Sequence, residues 1–308
     1  MDVKTNVTMG TLKITESPRD AIQGLTNFIP KREKINYLKE VISIGFDVVD
    51  VGSLVSPRIV PQLRDTEKVL EKLKHPGNHT KLMVLVANVK GAVATSRFDH
   101  VSIISYPFSV SETFLKRNIN STFGKSRVVI DLFMDIAAKS GKEVVVYLSM
   151  AFGNPYGDKW DPDIVMEWAG KLVESGVEHI SIADTLGVAT PQSIALIISN
   201  LRREYPSVEL SLHLHTTHGT WYEKIDAAYK NGCHHFEGVL NGLGGCPMTG
   251  YEMVGNIDTE LLLQYAKKNN LAVAVDQDKF DKLQAKATVF YALGSAPPEP
   301  YTMKKGNV

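Results

Sequence analysis

Residues 208–215 read Val-Glu-Leu-Ser-Leu-His-Leu-His, and their strict alternation decides the fold. Successive side chains of a strand point to opposite faces. Val208, Leu210, Leu212 and Leu214 therefore share one face, and Glu209, Ser211, His213 and His215 the other. The apolar face needs a cover such as a ring of helices, and the polar face then looks into an enclosed interior. Helical patterns flank the strand, TPQSIALIISNLRREY (190–205) before it and TWYEKIDAAYKNG (220–232) after.

The same alternation runs in both directions. Strand patterns are LKITE (12–16), DVVDVG (47–52), KLMVLVAN (81–88), VSIISY (101–106), EVVVYLSM (143–150), HISIAD (179–184) and HHFEGVL (234–240). Between them lie helical stretches at 31–45, 57–73, 91–98, 110 to about 142 in two helices, and 161–176; IDTELLLQYAKKNN follows the last strand. Eight strands, each followed by a helix, predict an α/β fold, the (β/α)8 TIM barrel. A doubly wound open sheet would need an edge and a chain reversal. Asp161-Pro162 and Thr190-Pro191 set a capping side chain before a proline at the first helical position. The barrel is expected to span residues 10–275, with a short C-terminal helix and extended Pro-rich tail over 276–308.

At 44% hydrophobic and 22% charged, the 308-residue chain can bury a large core and is neither disordered nor fibrous. Thirty-four basic residues balance thirty-four acidic ones, which argues against a nucleic-acid or polybasic membrane binder. Two cysteines, Cys233 and Cys246, make no disulfide framework and fit a reducing compartment. No apolar run approaches the roughly twenty residues of a membrane span. The opening MDVKTNVTMG lacks the apolar stretch of a secretory signal. A cytoplasmic protein is expected.

In such barrels function sits at the C-terminal ends of the strands. That rule selects Arg19 and Asp20 after the first strand, Asp50 on the second, Asn88 after the third and Ser149 ending the fifth. It adds Asp184 ending the sixth, His213 and His215 ending the seventh, and the glycine-rich stretch from Gly242. Two imidazoles converging with an oxygen donor make a divalent-metal site. A hydrogen-bonded polar interior is the alternative for His213-Leu214-His215. Asp20 is a candidate third ligand, and Arg19 a candidate for stabilising negative charge on an oxygen, although a surface ion pair would look the same. Gly242-Leu243-Gly244-Gly245-Cys246-Pro247 predicts a loop that moves or approaches a ligand closely, with Cys246 as acid or base, or else a phosphate cradle or a plain turn. Asp184 is a candidate partner for a substrate hydroxyl or a ligating residue. His234 and His235 fall on opposite faces and are taken as structural.

Together these residues resemble the 3-hydroxy-3-methylglutaryl-CoA lyase family of metal-dependent, TIM-barrel lyases. The resemblance runs from about Leu12 to about Gln264, through SPRDAIQ (17–23), GSLVSPRIVPQ (52–62), ANVKG (87–91), KRNIN (116–120), GNPYGDKWDP (153–162), ADTLGVATP (183–191), HLHTTHG (213–219), GLGGCP (242–247) and GN (255–256). GLGGCP is the most specific of these, and related synthases lack it. The resemblance implies a Mg2+ or Mn2+ ion on Asp20, His213, His215 and Asn256, with Arg19 polarising a thioester carbonyl and Cys246 moving a proton. It places Asp184 in the active site and Asp50 where the family carries glutamate. It implies an acyl-CoA substrate cleaved to acetoacetate and acetyl-CoA, as in leucine degradation, and a homodimer. A Claisen- or aldol-type synthase and a non-catalytic relative are the alternatives. Ala21, Gly24, Asp50, Thr216 and Met248 depart from the family pattern, so the acyl substituent stays open to a related 3-hydroxy-3-alkylacyl-CoA.

Overall fold

A computed structural model describes residues 10–216, 219–245 and 254–295. The strands are β1 (Lys13–Glu16), β2 (Val48–Ser53), β3 (Lys81–Leu85), β4 (Ile103–Ser109), β5 (Glu143–Ser149), β6 (His179–Asp184), β7 (Glu209–Leu214) and β8 (His235–Gly238). All pair in parallel with their sequence neighbours, and β8 closes on β1 from Lys13–His235 to Glu16–Gly238, so the sheet is a sealed barrel without an edge. The helices are α1 (Pro18–Gln23), α2 (Lys31–Ile44), α3 (Thr66–Leu70), α4 (Val89–Ser96), α5 (Glu112–Ile119), α6 (Phe123–Ser140), α7 (Pro162–Glu174), α8 (Pro191–Glu204), α9 (Trp221–Lys230), α10 (Thr259–Lys268) and α11 (Gln277–Ala292).

The alternation read from the sequence divides the core in two. Leu210, Leu212 and Leu214 belong to the large apolar shell between barrel and helices. Inside the barrel, Val48, Met83, Leu85, Ile103, Val145 and Tyr147 of β2 to β5 form a separate apolar cluster. The other half of the interior is polar and paired: Thr15 with His235, His179 with Ser211, and Ser181 with Glu237. Buried polar groups persist only when their hydrogen bonds are met, and here side chains of β1, β6, β7 and β8 meet them across the interior.

The expected single helix over 57–73 is instead a 3-10 turn at Pro61–Leu63 followed by the short α3. Pro61 lacks the N–H that a continuous helix needs and would crowd the preceding turn. Asp161 and Thr190 cap α7 and α8 as expected, accepting from Ile164 and Ser193 amides. α11 packs on α2, where Tyr37 stacks on Phe290 with centroids 3.9 Å apart and meets Tyr291 edge-on. The expected extended tail lies outside the described residues.

Candidate active site

A cavity of about 290 Å3 opens at the C-terminal ends of the strands. Arg19, Asp20, Asn88, Ser149, His213 and His215 line it, all chosen from sequence by the strand-end rule. Its opposite wall is apolar, made by Val55, Ile59, Leu85, Phe114 and Ile119. The volume stands at the lower limit of small-molecule sites.

Arg19 lies in the first turn after β1 and is almost fully buried between two carboxylates. Its Nε donates to Asp50 Oδ2 at 2.8 Å, and its Nη1 donates to Asp20 Oδ1 at 2.7 Å. Nη2 has no protein partner among the described residues, so one guanidinium edge is left for a ligand in the cavity. Burial disfavours the charge, but Asp50 and Asp20 outweigh it and keep the guanidinium protonated. Asp50 is completely buried, and burial pushes its carboxyl up to about 6 against the pull of Arg19. Asp50 is not among the cavity-lining residues and meets the cavity through Arg19, which it holds.

Burial also works against an ionised Asp20, yet Arg19, His213 and His215 together hold its carboxyl well below the usual range. Asn256 donates from Nδ2 to Asp20 Oδ2 at 2.7 Å and to the Leu243 carbonyl at 2.8 Å, and its Oδ1 has no hydrogen-bond partner among the described residues. A short antiparallel bridge between His215 and Asn256 puts this amide beside the end of β7. An asparagine before a helix reads as a cap, but Asp258 caps α10 instead.

The imidazoles of His213 on β7 and His215 just past its end stand with centroids 5.0 Å apart. Each uses Nδ1 for orientation: His213 meets Glu237 Oε2 at 3.1 Å, and His215 meets the Val254 carbonyl at 2.9 Å. Nε2 of each ring is thereby the atom left to a ligand. Burial disfavours a charged His213, but Glu237 and Asp20 prevail and raise it, whereas burial and His213 push His215 down to about 4. Glu237 also accepts from Tyr147 at 2.8 Å and from Ser181 at 2.5 Å. Burial opposes the Glu237 charge, but His213 first, then Ser181 and Tyr147, outweigh it and hold the carboxyl at about 2. Sequence reasoning missed Glu237 and Tyr147, although Glu237 stands two residues beyond the inward His235 and so shares its face.

Asp184 ends β6 as expected but does not line the cavity. It accepts from the Val188 and Ala189 amides at 2.9 and 3.0 Å and lies 3.3 Å from Lys224 Nζ. It ties the loop between β6 and α8. Asn88 both faces the cavity and caps α4 by accepting from the Gly91 amide.

Cys246 lies outside the described residues, but the glycines that lead to it are described. Gly242, Gly244 and Gly245 have φ of 61°, 98° and 125°, a region that side chains rarely adopt. A Cβ on Gly244 would stand 2.6 Å from Asn256 Nδ2 and 3.1 Å from the Asp20 carbonyl. A glycine is thus required at 244, where the backbone passes against Asp20 and Asn256.

Fold and site define a TIM-barrel protein with a guanidinium, a carboxylate, two imidazoles and an amide gathered at one cavity mouth. The sequence matches the HMGL-like family over residues 12–287, and the chain belongs to that family. It is 33% identical over 286 residues to the mitochondrial hydroxymethylglutaryl-CoA lyase of Bos taurus, covering 92% of this chain and 86% of that one. It is 32% identical to the cytoplasmic 3-hydroxy-3-methylglutaryl-CoA lyase of Rattus norvegicus, covering 87% and 78% of the two chains. A solved HMG-CoA lyase from Acinetobacter baumannii, in complex with coenzyme A and 3-methylmalate, superposes with a TM-score of 0.85 at 26% identity, covering 94% of this chain and 93% of that one. No helix among the described residues is long and apolar enough to cross a membrane.

Proposed function

We propose that this chain is a carbon–carbon lyase that cleaves 3-hydroxy-3-methylglutaryl-CoA, or a close 3-hydroxy-3-alkylacyl-CoA, to a 3-oxo acid and acetyl-CoA. The observation that carries this reading is the convergence of Arg19, Asp20, His213 and His215 at one cavity, with Asn256 bonded to Asp20 behind them. The family membership and the named relatives support it.

The donor set fits a divalent cation. Both imidazoles are anchored through Nδ1, and among the described residues neither Nε2 of the two rings nor Oδ1 of Asn256 has a partner. Orientation of ligating histidines by such partners is the usual arrangement around metals. Asp20, His213, His215 and Asn256 would hold Mg2+ or Mn2+, whose Lewis acidity would acidify the substrate's tertiary hydroxyl. Glu237→Gln removes the charge that orients His213, and metal affinity is expected to fall about 10- to 100-fold with the fold retained. Calorimetric Mn2+ titration checks this.

The chain's own groups supply the rest. Loss of the hydroxyl proton turns C3–O into a carbonyl and breaks the C2–C3 bond, whose electron pair becomes the enolate of acetyl-CoA. Arg19 Nη2 is the donor free to meet the thioester oxygen where that negative charge develops. The enolate carbon then takes a proton, for which Cys246 is the family's donor. The apolar wall of Val55, Ile59 and Phe114 takes the 3-alkyl group and keeps water from the enolate. A homodimer is the proposed assembly.

A panel of 3-hydroxy-3-alkylglutaryl-CoA thioesters, assayed with and without a chelator, tests this reading. Acetyl-CoA release that stops on chelation and returns with Mg2+ or Mn2+ is the expected result. Condensation of acetyl-CoA with keto acids, without carbon–carbon cleavage of the panel substrates, would replace it with a synthase.

A further inference from the structure

Three ligand-type side chains stand together at the end of the barrel opposite the cavity. His179, Glu209 and His235 are the first residues of β6, β7 and β8, and one ligand atom from each lies within 4.8 Å of the others. The sheet register fixes the arrangement. His179 pairs with Glu209, and His235 pairs with Ser211, which shares a face with Glu209. We propose that this N-terminal mouth is a second cation site, built for a borderline transition metal such as Zn2+ and separate from the site at the cavity.

The donor types argue for that class of ion. Two imidazole nitrogens and one carboxylate suit Zn2+ or Co2+, whereas Mg2+ and Ca2+ favour oxygen alone. Ligands at about 2.1 Å in a tetrahedron stand about 3.4 Å apart, and Glu209 Oε1 already lies 3.1 Å from His235 Nδ1. The rings are braced from behind. Thr15 Oγ1 meets His235 Nε2 at 2.8 Å, and Ser211 Oγ meets His179 Nε2 at 3.0 Å. The rings themselves lie 5.3 Å apart between centroids.

The mouth is open enough for an ion to enter, since the Glu209 side chain is 39% exposed. Lys13 Nζ, 2.8 Å from Glu209 Oε1, is the positive charge that now balances the carboxylate. That lysine is half exposed at the first position of β1, and a pair of this kind is weak enough to yield to a divalent ion. An ion here would join β6, β7 and β8 directly and β1 through Thr15. The N-terminal face of such barrels serves stability, so the site is structural and takes no part in turnover.

Co2+ is the probe that tests it, added to tag-free, chelator-stripped protein and followed by visible absorption and by bound metal per chain. The proposal expects two Co2+ in the native chain and one in His213→Ala, with Zn2+ raising the melting temperature of that variant. It expects His179→Gln to bind one ion fewer than the native chain and to keep native turnover. A His213→Ala chain that folds but binds no Co2+ would overturn it, as would a His179→Gln chain that binds as many ions as the native protein. A native chain that binds one Co2+, lost in His179→Gln, would remove the cavity site and leave this one standing.

Discussion

Arg19→Met is expected to lower kcat by about 10²- to 10³-fold, the usual effect of removing a donor that meets a developing oxyanion. The same change strips Asp20 and Asp50 of the guanidinium between them. Asp50 is fully buried, and its Oδ1 already lacks a hydrogen-bond partner among the described residues. Removing one member of a buried ion pair costs about 3–5 kcal/mol, so the variant should also unfold at lower urea. Kinetics and urea denaturation on one preparation separate the two effects. Unchanged kcat at full folding would remove Arg19 from the chemistry. Asp50→Asn gives the complementary case, because Arg19 keeps Asp20 as a partner and the loss should be smaller.

His213→Ala is expected to bring turnover down by about three orders of magnitude, since losing roughly 4 kcal/mol of Lewis-acid stabilisation corresponds to that factor. The variant also leaves Glu237 without its imidazole. Tyr147 and Ser181 still donate to that carboxylate, so the interior keeps two of its hydrogen bonds. Cation binding at the cavity should be lost with turnover, and calorimetry with Mn2+ reads the first while acetyl-CoA release reads the second. Full turnover in this variant would mean that His213 and His215 are only part of the polar interior, which is the alternative that the sequence alone left open.

The fold was legible because period-two alternation in strands such as 208–215 is a local property, and eight repeats of it leave few topologies. Boundaries were less legible where proline intervened. The expected fourth strand ends at Tyr106, yet β4 runs on through Pro107 to Ser109, although a proline cannot donate to a ladder. Pro61 had the reverse effect and split an expected helix.

Of the site, the residues at strand ends were legible from position alone. Asn256 was legible only through family resemblance, because its place depends on a tertiary bridge to His215 that leaves no local pattern. Glu237 carried a usable signal in its parity with His235. Tyr147 carried none, since an inward tyrosine in a run of valines reads as core. Asp184 was correctly placed at the end of β6, but whether it would face the cavity depended on loop amides that sequence does not reveal.

The most direct test of the central claim is an anomalous difference map from crystals of the chain soaked in Mn2+. A peak enclosed by Asp20, His213, His215 and Asn256, within reach of Arg19, is the predicted result. A map with no peak at that mouth, from crystals whose protein still releases acetyl-CoA, would contradict it.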